Sequence, residues 1–418
     1  MKIKQLYQSA KVKVLADQVV VSGSSFLSNI LVARSLGITD YGVFSALLLI
    51  QLFLLSLQQS TSSGIYQVLF GRLDASIQKK YNSGLFYTQI IIYSILVLIA
   101  FGFSRIVTSE LKIDITVFLP AAVSIILYLL QDFLRKILIT REQESKALWI
   151  DVITNVLQLS LFGIFAFTGH LNLSIVFWVI GLTFIPSVIA GIIWLKPGVP
   201  KISSIAFALK THQQHSGWMF LSALLQWFAG NFFVVAAGWW LGLAALGALR
   251  LAQYIFGLLN VMIQAIENYA LPKGSTLQSS GQDFKKFLVR IFIKTSAAVI
   301  PLLILLSVFA KQLLLFSGNA AYTSYGYVMY GLSLIYVLII CALPVRITLR
   351  VQLLNKNYFI GYLWATAFSL IFSKLIIQQW QLAGVLAGLF CTQFIVVVYW
   401  LFILNKRNIF KWKLSTSF

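Results

Sequence analysis

The sequence predicts an all-α polytopic membrane protein, with about twelve transmembrane helices in two six-helix lobes related by an internal repeat. Three observations carry this expectation: too little charge for a water-facing surface, apolar runs of membrane-crossing length, and a motif that returns at a constant offset. Of 418 residues, 59% are hydrophobic and 10% charged, whereas a soluble domain averages about 45–50% and about 25%. A bilayer core about 30 Å thick needs roughly 20 apolar residues per helical crossing. Runs of that length lie near 14–36, 40–63, 81–104, 115–139, 147–168, 174–195, 215–241, 244–270, 287–310, 322–344, 357–377 and 381–404.

An even number of spans puts both termini on one side, and the first carries Lys2, Lys4, Lys11 and Lys13. On this map 26 of the 32 Lys and Arg residues fall on the terminal side, leaving Arg34, Arg105, Lys112, Arg250, Lys311 and Lys374 elsewhere. By the positive-inside rule that side is cytoplasmic. The net charge of +21 then needs no nucleic-acid partner. The first apolar run is longer than the 7–15 residues of a signal peptide and contains Asp17, Gln18 and Arg34, so it is read as a retained helix. Cys341 and Cys391 are too few for a disulfide scaffold. Lying in apolar runs, they are expected to be buried free thiols.

Two segments on the basic side are expected to lie as amphipathic helices in the interface. One has Ile65, Leu69, Leu73 and Ile77 beside Arg72, Lys79 and Lys80; the other has Phe284, Phe287, Leu288 and Ile291 beside Lys285, Lys286 and Arg290. Their matching positions point to a repeat. Leu36-Gly37-Ile38-Thr39-Asp40-Tyr41-Gly42 aligns with Leu241-Gly242-Leu243-Ala244-Ala245-Leu246-Gly247 at an offset of 205, which also puts Gln59 on Gln264. Lobes of about 1–200 and 206–418 follow, joined through Pro197-Gly198-Val199-Pro200. Internal repeats with a site at their interface are an architecture of alternating-access transporters.

Polar residues inside spans mark the expected site. In span eight, Arg250, Gln253, Gly257, Asn260, Gln264 and Glu267 follow steps of three and four, a polar stripe along one helical face. The opposite face, with Leu251, Ile255, Leu258, Leu259, Met262 and Ile266, is expected to meet lipid. Gln51, Gln58, Gln59 and Ser62 make span two polar, and Asp17, Ser24, Ser28, Gln226 and Asn231 add to spans one and seven. A central polar cleft between the lobes is the expected substrate path.

The run Gly247-Ala248-Leu249-Arg250-Leu251-Ala252-Gln253, continuing to Gln264-Ala265-Ile266-Glu267-Asn268 and Leu271-Pro272, resembles the bacterial polysaccharide flippases. So do Leu15-Ala16-Asp17-Gln18 and Ala33-Arg34-Ser35-Leu36-Gly37 before Asp40-Tyr41-Gly42. These belong to the multidrug/oligosaccharidyl-lipid/polysaccharide exporter superfamily. The resemblance implies a V-shaped pair of six-helix bundles in the bacterial inner membrane. It also implies alternating-access flipping of a polyprenyl-diphosphate-linked oligosaccharide to the outer leaflet, for O-antigen, capsule, teichoic acid or exopolysaccharide assembly. Implied partners are the lipid-linked oligosaccharide, the lipid bilayer, a polysaccharide polymerase and glycosyltransferases; no cofactor or metal is implied.

Guanidinium groups pair with phosphate through two hydrogen bonds and stay charged, which makes Arg250 and Arg34 candidates for the diphosphate. Arg34 also sits where its side chain could snorkel to the interface. Gln253, Asn260, Gln264 and Gln59 are the candidate partners for sugar hydroxyls. Asp17 and Glu267, near the cytoplasmic end, could pair with a cation across the lobes as a gate, or could simply sit in headgroups. Trp227, Phe228, Trp239 and Trp240 could stack on sugars, although an interfacial belt is the ordinary role of such residues.

Enzymatic readings find little support. Glu110 and Asp114 lie on a short loop without a second acidic pair, and His170, His212 and His215 lack metal-ligand spacing with any Cys or carboxylate. No G-x-x-x-x-G-K phosphate cradle occurs. The alternative is a cation-coupled multidrug antiporter of the same superfamily. That function wants a carboxylate deep in one lobe, whereas the carboxylates are read as lying near span ends.

Overall fold

The computed structural model describes residues 2–111, 113–279, 283–407 and 409; of residues 2–20, 72, 75, 76, 111, 214, 215 and 279 it describes the backbone only. Every element among the described residues is helical, the solution open to a chain whose backbone groups must be satisfied within one segment of lipid. They are α1 (Lys2–Gln58), a π turn (Gln59–Ser63), α2 (Gly64–Leu69), a 3-10 turn (Phe70–Arg72), α3 (Ala75–Leu111), α4 (Ile115–Thr140), α5 (Glu144–Phe167) and α6 (Leu173–Leu195). Then come α7 (Ile202–Leu241), α8 (Leu243–Ser279), α9 (Phe284–Val308), α10 (Ala310–Ser317), a 3-10 turn (Ala320–Tyr325), α11 (Gly326–Val351) and α12 (Asn355–Lys406).

Among the described residues, ten stretches are long and apolar enough to cross a membrane. Two are too long for one crossing: the 52 residues of α12 would run about 78 Å at 1.5 Å per residue. Each long helix turns back at a single residue with non-helical backbone, Gly37 in α1 (φ 76°, ψ 172°) and Gln381 in α12 (φ 49°, ψ −131°). Side-chain contacts record the reversal. Tyr41 donates its hydroxyl to Asn29 Oδ1 at 3.3 Å across 12 positions of chain, which a straight helix would hold about 18 Å apart. The hydroxyls of Ser369 and Thr392 likewise meet at 3.2 Å. The ten stretches therefore hold twelve helical arms.

Gly37 needs its lack of a side chain for conformation and not for space, because a Cβ there would touch nothing within 4 Å. Gly242, between α7 and α8, is the same case at φ 93°. These are the paired glycines of the 205-residue repeat, so one backbone device recurs at the repeat's offset. L-residues reach positive φ only with strain.

The chain divides into two compact units, 1–224 and 225–418. The boundary between these units falls inside α7, whose first half is fastened to α3. Gly84 lets the Ser204 backbone come against α3, where a Cβ would collide with the Ser204 carbonyl. Lys80 lies 5.3 Å from the centre of the Phe207 ring, and the Tyr81 hydroxyl lies 2.6 Å from His212 Nε2. Tyr66, Tyr81, Phe133 and Leu134 belong to the core of the first unit; Val345, Leu349 and Trp400 belong to that of the second.

Three expectations are corrected. The two basic segments are not helices of their own. Ile65 and Leu69 lie in α2, which continues α1 through the π turn, and Phe284 to Ile291 open α9 without a break. A helix of 37 residues such as α3 is about 55 Å long, so its basic end projects beyond a 30 Å hydrocarbon core without needing to lie flat. Second, the apolar face of α8 is turned partly inward: Leu251, Ile255 and Leu259 are buried, Leu258 is exposed, and α8 packs on α11. Third, Cys341 is exposed and Cys391 half-buried, both as free thiols. Burial is no requirement for an apolar side chain when the surrounding solvent is hydrocarbon, and Leu98 and Phe101 of α3 are exposed for the same reason.

Candidate functional site

In the second unit, Arg250 sits on the second turn of α8 and is 9% exposed. Its Nη1 donates to Gln253 Oε1 at 3.0 Å, and its Cζ lies 5.2 Å from the centre of the Tyr254 ring. Its Nε is buried and makes no hydrogen bond. One helical turn thus holds the guanidinium by an amide and an aromatic ring while one donor stays unused. A buried donor without a partner costs about 1–3 kcal/mol, more on a charged group, so the arrangement is suited to an incoming anion.

The rest of the stripe divides. Asn260 is exposed and hydrogen-bonded to Tyr336, whose hydroxyl also donates to the Phe256 carbonyl at 3.3 Å. Gln264 is exposed. Glu267 pairs with Arg346 of α11, a partner within the same unit and not one across the lobes, because α11 crosses α8 at that level. Trp227 and Phe228 meet edge to face at 5.5 Å, and Trp239 is exposed.

In the first unit, Arg34 is exposed and Gln59 half-buried; Asp17 lies where only the backbone is described. Gln59 opens the π turn and hydrogen-bonds Asp132 of α4. Around this pair is a network the sequence reading missed. Gln58 Nε2 donates to the Leu129 carbonyl at 3.0 Å and to Asp132 Oδ2 at 3.4 Å. Tyr93 donates to Gln58 Oε1 at 2.8 Å. One turn further along α4, Arg135 pairs with Asp151 of α5, and Gln131 Nε2 donates to Asp151 Oδ1 at 2.8 Å.

Asp132 and Asp151 are 7% and 3% exposed, so these two carboxylates, read from the sequence only as lying near span ends, are enclosed by neighbouring helices. The signal was present in Tyr128, Gln131, Asp132 and Arg135, whose spacing of three, four and seven puts four polar side chains on one face of an apolar helix. By contrast, Asp114 has the local task of accepting from the Thr116 backbone N–H at 2.9 Å as the N-cap of α4.

Ten apolar stretches of membrane-crossing length, two of them reversing at a single residue, and a backbone break repeated at offset 205 define the class as an all-helical polytopic membrane protein. The fold is shared with the lipid II flippase MurJ in its inward closed conformation, at 16% identity and a TM-score of 0.68 over 95% of this chain and 87% of that one. It is shared as well with an inward-facing multidrug resistance MATE family transporter of the MOP superfamily, at 13% identity and a TM-score of 0.73 over 98% and 100%. A MOP superfamily transporter from Pyrococcus furiosus is similar at 15% identity and a TM-score of 0.56 over 96% and 92%. A comparison with curated protein sequences returns no match. The sequence profile described as "Polysaccharide biosynthesis protein" matches residues 31–325, and the chain belongs to that family.

Proposed function

We propose that the protein is a flippase that carries a polyprenyl-diphosphate-linked oligosaccharide from the cytoplasmic to the outer leaflet of a bacterial inner membrane, for surface polysaccharide assembly. The observation that carries the reading is Arg250, a buried guanidinium with an unused Nε in a chain of the polysaccharide biosynthesis family. A diphosphate must be held by fixed cations while it crosses hydrocarbon, and a planar guanidinium does this with two parallel hydrogen bonds. In this reading each of the twelve arms crosses once, both termini are cytoplasmic, lobes of residues 1–200 and 206–418 act by alternating access, and the substrate-binding residues are Arg250, Gln253, Asn260 and Gln264 in the second and Arg34 and Gln59 in the first. Asp17 would contribute to the gate. A polymerase and glycosyltransferases would act on either side of the transport step.

The test is flipping of lipid-linked repeat units in reconstituted vesicles. Arg250→Ala should insert and fold normally yet lose about tenfold or more in rate, the equivalent of one charge-assisted hydrogen bond, and Arg250→Lys should recover part of it. Full activity of Arg250→Ala overturns the assignment. A second reading, a cation-coupled drug antiporter, draws support from Asp132, a carboxylate buried well inside α4. A deletion strain separates the two: loss of surface polysaccharide favours the flippase, while intact polysaccharide with new sensitivity to cationic drugs favours the antiporter.

A further inference from the structure

The first unit contains another polar site, remote in sequence from Arg250 and separate from the buried carboxylates. A cavity of about 390 Å³ lies between the π turn, the first half of α3 and the first half of α7, within the size range of small-molecule sites. Thr61, Ser62, Thr88, Gln89, Gln213 and Ser216 make its polar wall, and Leu85 and Ile92 an apolar one. Two of the polar groups are buried and unsatisfied: Gln89 is 1% exposed with no partner for Oε1, and Ser62 is 3% exposed with no partner for Oγ.

The walls are firmly set. His212 touches the Thr61 carbonyl through Nδ1 at 2.8 Å and the Tyr81 hydroxyl through Nε2 at 2.6 Å, so its ring is occupied in joining α7 to the π turn and α3. Thr61 and Ser60 both donate to the Leu57 carbonyl, at 2.8 and 2.9 Å. What is left over is an amide oxygen seeking a donor and a hydroxyl able to donate or accept. Among the described residues no Asp, Glu, Lys or Arg lines the cavity, so those residues bring no fixed charge to a diphosphate. A sugar ring fits this chemistry, its hydroxyls meeting Gln89 and Ser62 and its C–H face lying on Leu85 and Ile92.

We propose that this cavity is a saccharide subsite that takes a neutral, polyhydroxylated sugar residue. The proposal rests on the transport of a lipid-linked oligosaccharide, and it places the sugar site within the first unit. Sugar from the lipid-linked substrate and free soluble sugar share the chemistry, and the experiment distinguishes them.

The full-length protein in lipid nanodiscs is titrated by native mass spectrometry with three probes. These are lipid-linked repeat units extracted from a strain lacking the protein, undecaprenyl diphosphate, and the repeat-unit saccharide released by mild acid. Gln89→Leu should weaken binding of the lipid-linked repeat unit by roughly tenfold, the loss expected when one buried hydrogen bond is removed, and leave undecaprenyl diphosphate unchanged. Ser62→Ala, a smaller change inside a helical turn, should shift the same probe in the same direction and serves if Gln89→Leu fails to fold. Binding of the free saccharide that both variants abolish, with the lipid-linked probe unaffected, assigns the subsite to soluble sugar. Unchanged binding of both saccharide probes, or an equal loss for sugar-bearing and bare lipid, overturns the subsite and leaves transport standing. A wild-type protein that binds neither lipid overturns the transport reading as well.

Discussion

The two units handle buried charge in opposite ways. In residues 1–224, Asp151 is matched by Arg135 and Gln131, and Asp132 by Gln58 and Gln59, so the charges are consumed by contacts between α4, α5 and the end of α1. In residues 225–418, Arg250 keeps an unused donor, while Glu267 pairs with Arg346 nearer the end of α8 and Asp283 with Lys286 at the start of α9. Charges that satisfy one another build structure, whereas a charge held by a neutral amide and a ring is available to something that arrives. The contrast places mutually satisfied charges in the first unit and an unused guanidinium donor in the second.

The largest effect should come from breaking the first unit's network. Asp151→Ala leaves the Arg135 guanidinium without its carboxylate in a largely buried setting, a loss of about 3–5 kcal/mol. Thermal unfolding in detergent should show a far lower midpoint than wild type, and a midpoint close to wild type would remove the structural role argued here. Next in size, Glu267→Gln should cost about 1 kcal/mol, because the amide oxygen can still accept a hydrogen bond from Arg346. A larger loss than that of Asp151→Ala, read by the same melting curves, would reverse the comparison.

The backbone breaks sharpen the point at which the units are alike. Gly37→Ala and Gly242→Ala should each cost about 1 kcal/mol, since each position holds positive φ with room for a methyl group. Unequal costs would mean that the two junctions are not equivalent. Gln381→Gly should move the other way by a similar amount, relieving a non-glycine residue at φ 49°. The smallest effect concerns Asp283, the exposed N-cap of α9, which accepts from the Lys286 backbone N–H at 3.2 Å. Hydrogen bonding to Lys286 holds its carboxyl below the usual range. Its contribution is therefore present above the ordinary carboxylate pKa and lost as pH falls through the lowered value. The difference in melting midpoint between wild type and Asp283→Ala should be small at pH 7 and vanish in strong acid.

The helical plan was legible because a bilayer imposes one length and one polarity on every crossing, which is why the spans from 115–139 to 381–404 fall on α4 to α12. The junction glycines were legible because a repeated Leu-Gly step has a conformational cause. Arg250 stood out for the same kind of reason, as a cation in an otherwise apolar run. What escaped was pairing between helices. Asp132 and Asp151 gain their meaning from Gln58, Gln59 and Arg135 on neighbouring elements, and the α-to-π change at Gln59 leaves no mark in hydropathy. The inward turn of the apolar face of α8 was equally hidden, since an apolar face suits a helix neighbour as well as it suits lipid.

The return of the chain at Gly37 has a practical corollary for anyone handling the molecule. A reversal made by a single residue contains no slack: there is no loop for a protease to enter, none to absorb an inserted tag, and no spare length by which one arm could slide past the other. An epitope spliced beside Gly37 or Gly242 would have to unwind helix to be accommodated, while one placed at Pro197–Pro200 would enter chain that is already outside any helix. The two arms that meet at Gly37 are thus held end to end by one residue and cannot part at that junction.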